Sequence, residues 1–157
     1  MRKRGGIAGF RALSLCGAAL ILATTAARGG EFDLAPYSNN NRLVFVFAPN
    51  KANAFFRRQA ELWNGKRAGL EERDLVRFDV FERGVGKIGV KPLAETDASA
   101  LRKQFKVRRG AFRVILVGKD GHTAFASSKP VSAASLFGLI DAMPMRQQEM
   151  KKNNPKP

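Results

Sequence analysis

The sequence predicts an α/β domain in which helices connect the strands of a central sheet. Three observations carry that expectation. Residues 43–48 (LVFVFA) form an unbroken apolar run, residues 75–81 (LVRFDVF) alternate, and helix-period segments separate the apolar strands. A short continuous run of β-branched and aromatic residues marks a strand buried on both faces. Alternation marks a strand with one face buried.

The elements follow in order. Residues 28–41 are polar and turn-rich, with Pro36 and Asn39-Asn40-Asn41, and read as a lead-in. The strand at 43–48 stops at Pro49-Asn50. Residues 52–67 have helical spacing, with Phe55, Phe56, Gln59, Leu62 and Trp63 on one side and Arg57, Arg58, Glu61 and Lys66 on the other. Gly69 is the expected stop. After the strand at 75–81, residues 84–92 read as a glycine-rich loop. Thr96 or Asp97 is expected to cap a helix to about Lys106 with Ala98, Leu101 and Phe105 inward. Residues 112–117 form a third strand, Lys119-Asp120-Gly121 a turn, and residues 122–127 a fourth strand closing a hairpin. Ser132 is expected to cap a last helix with Leu136, Leu139, Ile140 and Met143 inward, interrupted at Pro144. The order β-α-β-α-β-β-α is that of the thioredoxin-like three-layer α/β sandwich. Strands joined through helices are expected to pair in parallel, and the last hairpin to add an antiparallel strand.

The N-terminus carries a different signal. Met1-Arg2-Lys3-Arg4 is basic, residues 13–23 (LSLCGAALILA) are apolar, and Thr25-Ala26-Ala27 are small. That succession reads as a secretory leader over residues 1–27, cleaved near Ala27. Only 16 uncharged residues separate Arg11 from Arg28, fewer than the roughly 20 of a spanning helix, so no transmembrane anchor is expected. Cleavage leaves 130 residues, a single domain over residues 42–150 with a basic tail at 151–157 expected to be disordered. Cys16, the one cysteine, departs with the leader. The expected location is therefore periplasmic or secreted, and the exported domain must hold itself together by its core rather than by a disulfide.

Charge points to partners. Of 28 Lys and Arg and 13 Asp and Glu, the leader removes four cations and no acid, leaving a net charge of +11. Such an excess attracts polyanions. Outside the cytoplasm these are anionic lipid, lipopolysaccharide or acidic polysaccharide rather than nucleic acid. The densest cluster is Arg102, Lys103, Lys106, Arg108, Arg109 and Arg113, six cations in twelve residues without an acid. Cations at a helix C-terminus suit its dipole, but that explains two or three of them. With Leu101 and Phe105 inward, Arg102, Lys103 and Lys106 are expected to face solvent as an anion-binding face.

A second polar group, Lys119, Asp141, Arg146 and Glu149, gathers around the Pro144 break. It reads either as a catalytic site on a kinked helix or as a structural tie in which Arg146 links Asp141 to Glu149. Arg73-Asp74 is expected to tie the first helix to the sheet. Gly84-Val85-Gly86-Lys87-Ile88-Gly89 matches G-x-G-x-x-G, but no helix opens from it, so a dinucleotide is not expected. His122, the one histidine, lacks an identifiable orienting partner or co-ligands. No metal or cofactor is implied.

Val117-Gly118-Lys119-Asp120-Gly121, followed by 136–150 (LFGLIDAMPMRQQEM), carries a recognisable pattern, together with 42–49 and Glu72-Arg73-Asp74-Leu75. In these blocks the chain resembles the domain of unknown function family numbered 4174, from about Pro36 to Met150. The resemblance implies a thioredoxin-like fold in short exported bacterial proteins and in secreted sushi-repeat matrix proteins of animals. Thiol redox chemistry in that fold needs a low-pKa thiolate at the start of the first helix. Here that place holds Pro49-Asn50-Lys51-Ala52, and Gly110-Ala111-Phe112-Arg113 stands where such folds usually carry a proline. Oxidoreductase or peroxidase activity is therefore not expected, and the module reads as a binder, with an enzyme built on the Asp141 group as the alternative.

Overall fold

A computed structural model describes residues 30–37 and 39–153. The leader at 1–27 and the last residues of the tail lie outside the described residues. A six-stranded mixed sheet has the order β4-β3-β2-β1-β5-β6. Its strands are β1 (Arg42–Ala48), β2 (Leu75–Phe81), β3 (Gly86–Ile88), β4 (Lys91–Leu93), β5 (Arg113–Val117) and β6 (Thr123–Ser127). The helices are α1 (Ala54–Leu62), α2 (Arg67–Glu71), α3 (Glu95–Gln104), α4 (Ala133–Asp141) and α5 (Pro144–Asn153).

β1 is buried along its whole length, as its unbroken apolar run requires. Val44, Val46 and Ala48 face a core made with α1, α2 and α4. Leu43, Phe45 and Phe47 face a second core made with α3. These are the outer layers of a three-layer sandwich. The lead-in is part of it, because Phe32, Leu34 and Tyr37 pack on the α3 side and Tyr37 meets Phe78 edge-on. Gln59 is fully buried and joins Val131 twice, donating to its carbonyl and accepting from its N–H, both at 2.8 Å. This satisfies backbone polar groups that would otherwise be costly to bury.

Several expectations change. β2 pairs in parallel with β1, but β5 pairs antiparallel, with Phe47 opposite Arg113 and Leu43 opposite Val117. α3 and the segment after it deliver the chain to the end of the sheet where β1 stops, so β5 must run back. The first helix ends at Leu62, and Gly65 takes the left-handed turn, φ 69°. Gly69 instead lies inside α2, where an added Cβ would approach the Phe137 ring to 2.7 Å. α3 is capped by Ala94, ahead of Thr96 and Asp97. Leu139 and Phe55 are largely exposed. Ser132 does cap α4, accepting from the Ser135 N–H at 3.0 Å. Pro144 begins α5, the position where its missing N–H costs nothing. α5 continues past residue 150 to Asn153.

Candidate functional site

The expected basic segment surrounds a concavity at the carboxyl ends of β1 and β2. About 390 Å³ is enclosed by groups that include Glu82, Glu95, Arg102, Lys103, Lys106 and Arg109. In open α/β sheets this is the end at which ligands commonly bind. The strand ends are fixed by backbone bonds from Glu82 N–H to the Ala48 carbonyl and from Arg83 N–H to the Pro49 carbonyl, both at 3.0 Å.

Arg102 corrects the expectation that it faces solvent. It is 7% exposed and belongs to the buried stripe of α3 with Ala98 and Leu101. Its guanidinium donates to the Arg108 carbonyl at 2.7 Å and the Ala48 carbonyl at 3.4 Å, and lies 3.5 Å from the Glu82 carboxylate. A helical stripe one residue wider than drawn from the apolar residues takes Arg102 inward, where its long stem packs and its head ties α3 to β1. Burial lowers its pKa from the ordinary arginine value, against the raising effect of Glu82.

Glu82 accepts from the Gly110 N–H at 2.7 Å and pairs with Arg109 at 3.4 Å. The Gly110 bond, ahead of an opposing effect of burial and aided by Arg109 and Arg102, lowers its pKa. Lys103, Lys106 and Arg109 are exposed, and Lys106 takes a left-handed backbone, φ 52°, as the helix unwinds. Arg108 and Arg113 are exposed but outside the lining of the concavity.

The second group assembles at the opposite end of the sheet, and it is larger than expected. Glu149 on α5 receives a two-pronged pair from Arg42, at 3.1 and 3.2 Å, and the Lys119 ammonium at 2.8 Å. Lys119 also reaches Asp74 at 2.8 Å. Arg146 pairs with Glu72 at 2.7 Å, Asp141 at 3.3 Å and Glu149 at 3.6 Å. Arg73 holds Asp141 at 2.6 Å and lies over the Phe137 ring at 4.4 Å. Arg73 therefore ties α4 to the α2–β2 junction, where a link to the first helix was expected. Arg146 does link Asp141 to Glu149.

Arg42 and Glu72 escaped the sequence reading. The available signal was a cation opening a strand that is otherwise apolar. Arg42 is 1% exposed, so α5 is anchored by a cation buried at the root of the central strand. A neighbouring cavity of about 280 Å³ is bordered by Arg42, Lys119, His122, Met143 and Met145.

Burial raises the Glu149 pKa, but hydrogen bonds from Lys119 and then Arg42 outweigh it and hold the value at about 2 instead of 4.5. Asp141 is lowered likewise, with burial opposed by Arg73 and Arg146. A depressed carboxyl pKa contributes stability that is present above the unfolded value and lost as pH falls through the folded one. Stability is therefore expected to fall between about pH 4.5 and pH 2, and Glu149→Gln to flatten that part of the profile. Urea midpoints at half-unit pH intervals measure it; an unchanged profile in Glu149→Gln rejects it.

The remaining motifs fall elsewhere on the fold. Residues 84–89 build the β3 turn, and β3 with β4 forms a hairpin on the sheet rather than a loop. His122 is exposed beside the β5–β6 turn. Asn50 and Asn53 accept from the Ala52 and Phe56 N–H groups, so the β1–α1 junction is closed by its own side chains. Among the described residues, no cluster of His, Cys, Asp or Glu is placed to hold a metal ion, and no helix is long and apolar enough to cross a membrane.

The β1-α-β2 unit, the antiparallel β5–β6 pair and the flanking helices define a thioredoxin-like protein, one whose β1–α1 junction carries no sulfur. Solved structures agree on the fold. A reduced 2-Cys peroxiredoxin of Plasmodium vivax matches with a TM-score of 0.57 at 13% identity, over 74% of this chain and 84% of that one. Thioredoxin peroxidase I of Plasmodium yoelii matches at 0.53 and 12%, over 79% and 82%. Residues 33–149 match the family described as Domain of unknown function (DUF4174), and the chain belongs to that family. Sushi repeat-containing protein SRPX of Homo sapiens is 29% identical over 120 residues, 74% of this chain and 26% of that protein. SRPX2 of Xenopus laevis is 23% identical over 140 residues, 87% and 30%. The chain thus spans between a quarter and a third of the length of these relatives.

Proposed function

We propose that the chain is an exported, non-redox thioredoxin-like module that binds an anionic partner through its basic face. The observation that carries this reading is the concavity at the carboxyl ends of β1 and β2, where four cations (Arg102, Lys103, Lys106, Arg109) stand against two carboxylates (Glu82, Glu95). Arg102 is fixed in place by backbone carbonyls and Glu82, while Lys103 and Lys106 form no ion pair among the described residues. Their donors are free for a phosphate, sulfate or carboxylate on lipid, lipopolysaccharide or polysaccharide. The basic leader-like N-terminus supports export. The enzyme alternative is weaker, because Lys119, Asp141, Arg146 and Glu149 satisfy one another and fasten α5.

Lys103→Glu/Lys106→Glu tests the face without touching a salt bridge. A basic residue near an anionic surface contributes about 1 kcal/mol. The double variant is therefore expected to bind a sulfated polysaccharide column and vesicles containing anionic lipid at least about tenfold more weakly at low salt. Lys151→Glu/Lys152→Glu, exposed in the last turn of α5, changes net charge equally elsewhere. Equal losses in both variants assign the effect to net charge, and no loss in either removes the binding reading. The column and the vesicles distinguish glycan from lipid.

A further inference from the structure

The sheet face covered by α1, α2 and α4 is incompletely sealed. Between the α1–α2 segment and the β2–β3 edge lies a cavity of about 660 Å³, within the range of roughly 300–1,000 Å³ for small-molecule sites. Its apolar wall comes from Phe56 of α1, Trp63 just after it, Leu70 of α2, and Leu75 and Phe81 of β2. Arg77 and Asp79 face this side because they alternate with Phe78 and Val80, which pack into the α3-side core.

The charged groups at the cavity floor are not balanced. Asp79 is 1% exposed; its Oδ1 accepts from Arg77 Nε at 2.7 Å, and its Oδ2, without a hydrogen bond, lies 3.5 Å from Lys87 Nζ. One buried carboxylate therefore faces two cations. Arg77 commits only Nε to Asp79. Its guanidinium carbon lies 5.1 Å from the Trp63 ring centroid, and its Nη groups donate to no acceptor among the described residues. Lys87 is about half exposed. The turn after β3 is fixed beside this floor by the Gly89 N–H, which donates to the Arg77 carbonyl at 2.8 Å.

We infer that this cavity binds a small amphipathic organic anion. The carboxylate or sulfonate head accepts from the free Nη groups of Arg77 and from Lys87, while an aromatic or aliphatic body lies along Trp63, Leu70 and Leu75. A planar guanidinium matches such a head group in two-pronged fashion, with charge-assisted bonds. A neutral ligand leaves the Nη donors unpaired, and a cation meets the surplus positive charge. The site shares only Phe81 with the basic concavity and does not depend on it.

Two dyes on the full chain test it: 1-anilinonaphthalene-8-sulfonate and N-phenyl-1-naphthylamine, which lacks the sulfonate. The sulfonate is expected to bind one saturable site and to quench Trp63, the only tryptophan. Lys87→Gln and Arg77→Lys, the latter retaining a charge for Asp79, are expected to weaken the sulfonate at least about fivefold and the neutral dye less than that. Lys103→Glu/Lys106→Glu is expected to leave both unchanged. Thermal melts establish that each variant is folded, and the half-exposed Lys87 decides the matter if Arg77→Lys is not. Absence of saturable binding overturns the inference. So does a Lys87→Gln effect under fivefold, equal losses for the two dyes, or a loss confined to the Lys103/Lys106 variant.

Discussion

Replacing Glu149 with leucine is expected to cost about 3–5 kcal/mol of folding stability, the usual loss when one member of a buried ion pair is removed. Arg42 is 1% exposed, and among the described residues Glu149 is its only carboxylate partner. Without Glu149 the guanidinium keeps one bond among the described residues, to the Arg73 carbonyl at 3.1 Å, and its charge stays uncompensated at the root of β1. The reverse substitution is milder. In Arg42→Met, Glu149 is a quarter exposed and keeps Lys119 at 2.8 Å and Arg146 at 3.6 Å. An apolar side chain then fills a site inside the core. The double variant, Arg42→Met/Glu149→Leu, is expected to be more stable than Glu149→Leu alone, because it removes the orphaned charge. Urea denaturation of the three variants measures the order. If Arg42→Met costs more than Glu149→Leu, the buried cation is not what makes the pair necessary.

Gly86→Ala is expected to cost about 3 kcal/mol, near the upper end for overpacking. Gly86 has no left-handed backbone to explain it. Its place is explained by space, since an added Cβ falls inside van der Waals contact of the Asp79 carbonyl oxygen and 3.3 Å from Leu93. Backbone cannot yield there without opening the Asp79–Lys87 pairing that joins β3 to β2. Amide exchange should therefore quicken across β3 and β4 before the rest of the sheet. Gly138→Ala is the contrast. That glycine lies in α4 with open space around it, so alanine should stabilise by about 0.5–1 kcal/mol. A Gly86 variant as stable as the wild-type chain rejects the close approach.

Much of the architecture was legible because local chemistry forces it. An unbroken run such as Leu43 to Ala48 has one stable place, the middle of a sheet covered on both faces. Ser132 and Pro144 act on backbone groups within four residues of themselves, so a cap and a break could be read without knowing the fold. The Arg146 link was legible for the same reason, since Asp141 and Glu149 lie within five residues of it. The cluster of six cations was legible as charge.

Other features were decided only in three dimensions. The direction of β5 depends on the sheet end to which α3 returns the chain, and no residue of β5 encodes it. The hairpin at 86–93 needs a neighbouring strand to pair with, and its glycine-rich sequence alone reads as a loop. Arg102 looked solvent-facing because burial of a cation depends on acceptors supplied elsewhere, here the carbonyls of Ala48 and Arg108 and the carboxylate of Glu82. Arg42 and Glu149 are 107 residues apart in the chain. By itself the sequence determined the four longer strands, the Ser132 cap, the Pro144 break and the excess of positive charge, which are properties of short segments. The tertiary structure decided which charges are buried and paired and which stay exposed and unpaired, because the energy of a charge depends on the dielectric and the partners that distant segments bring to it.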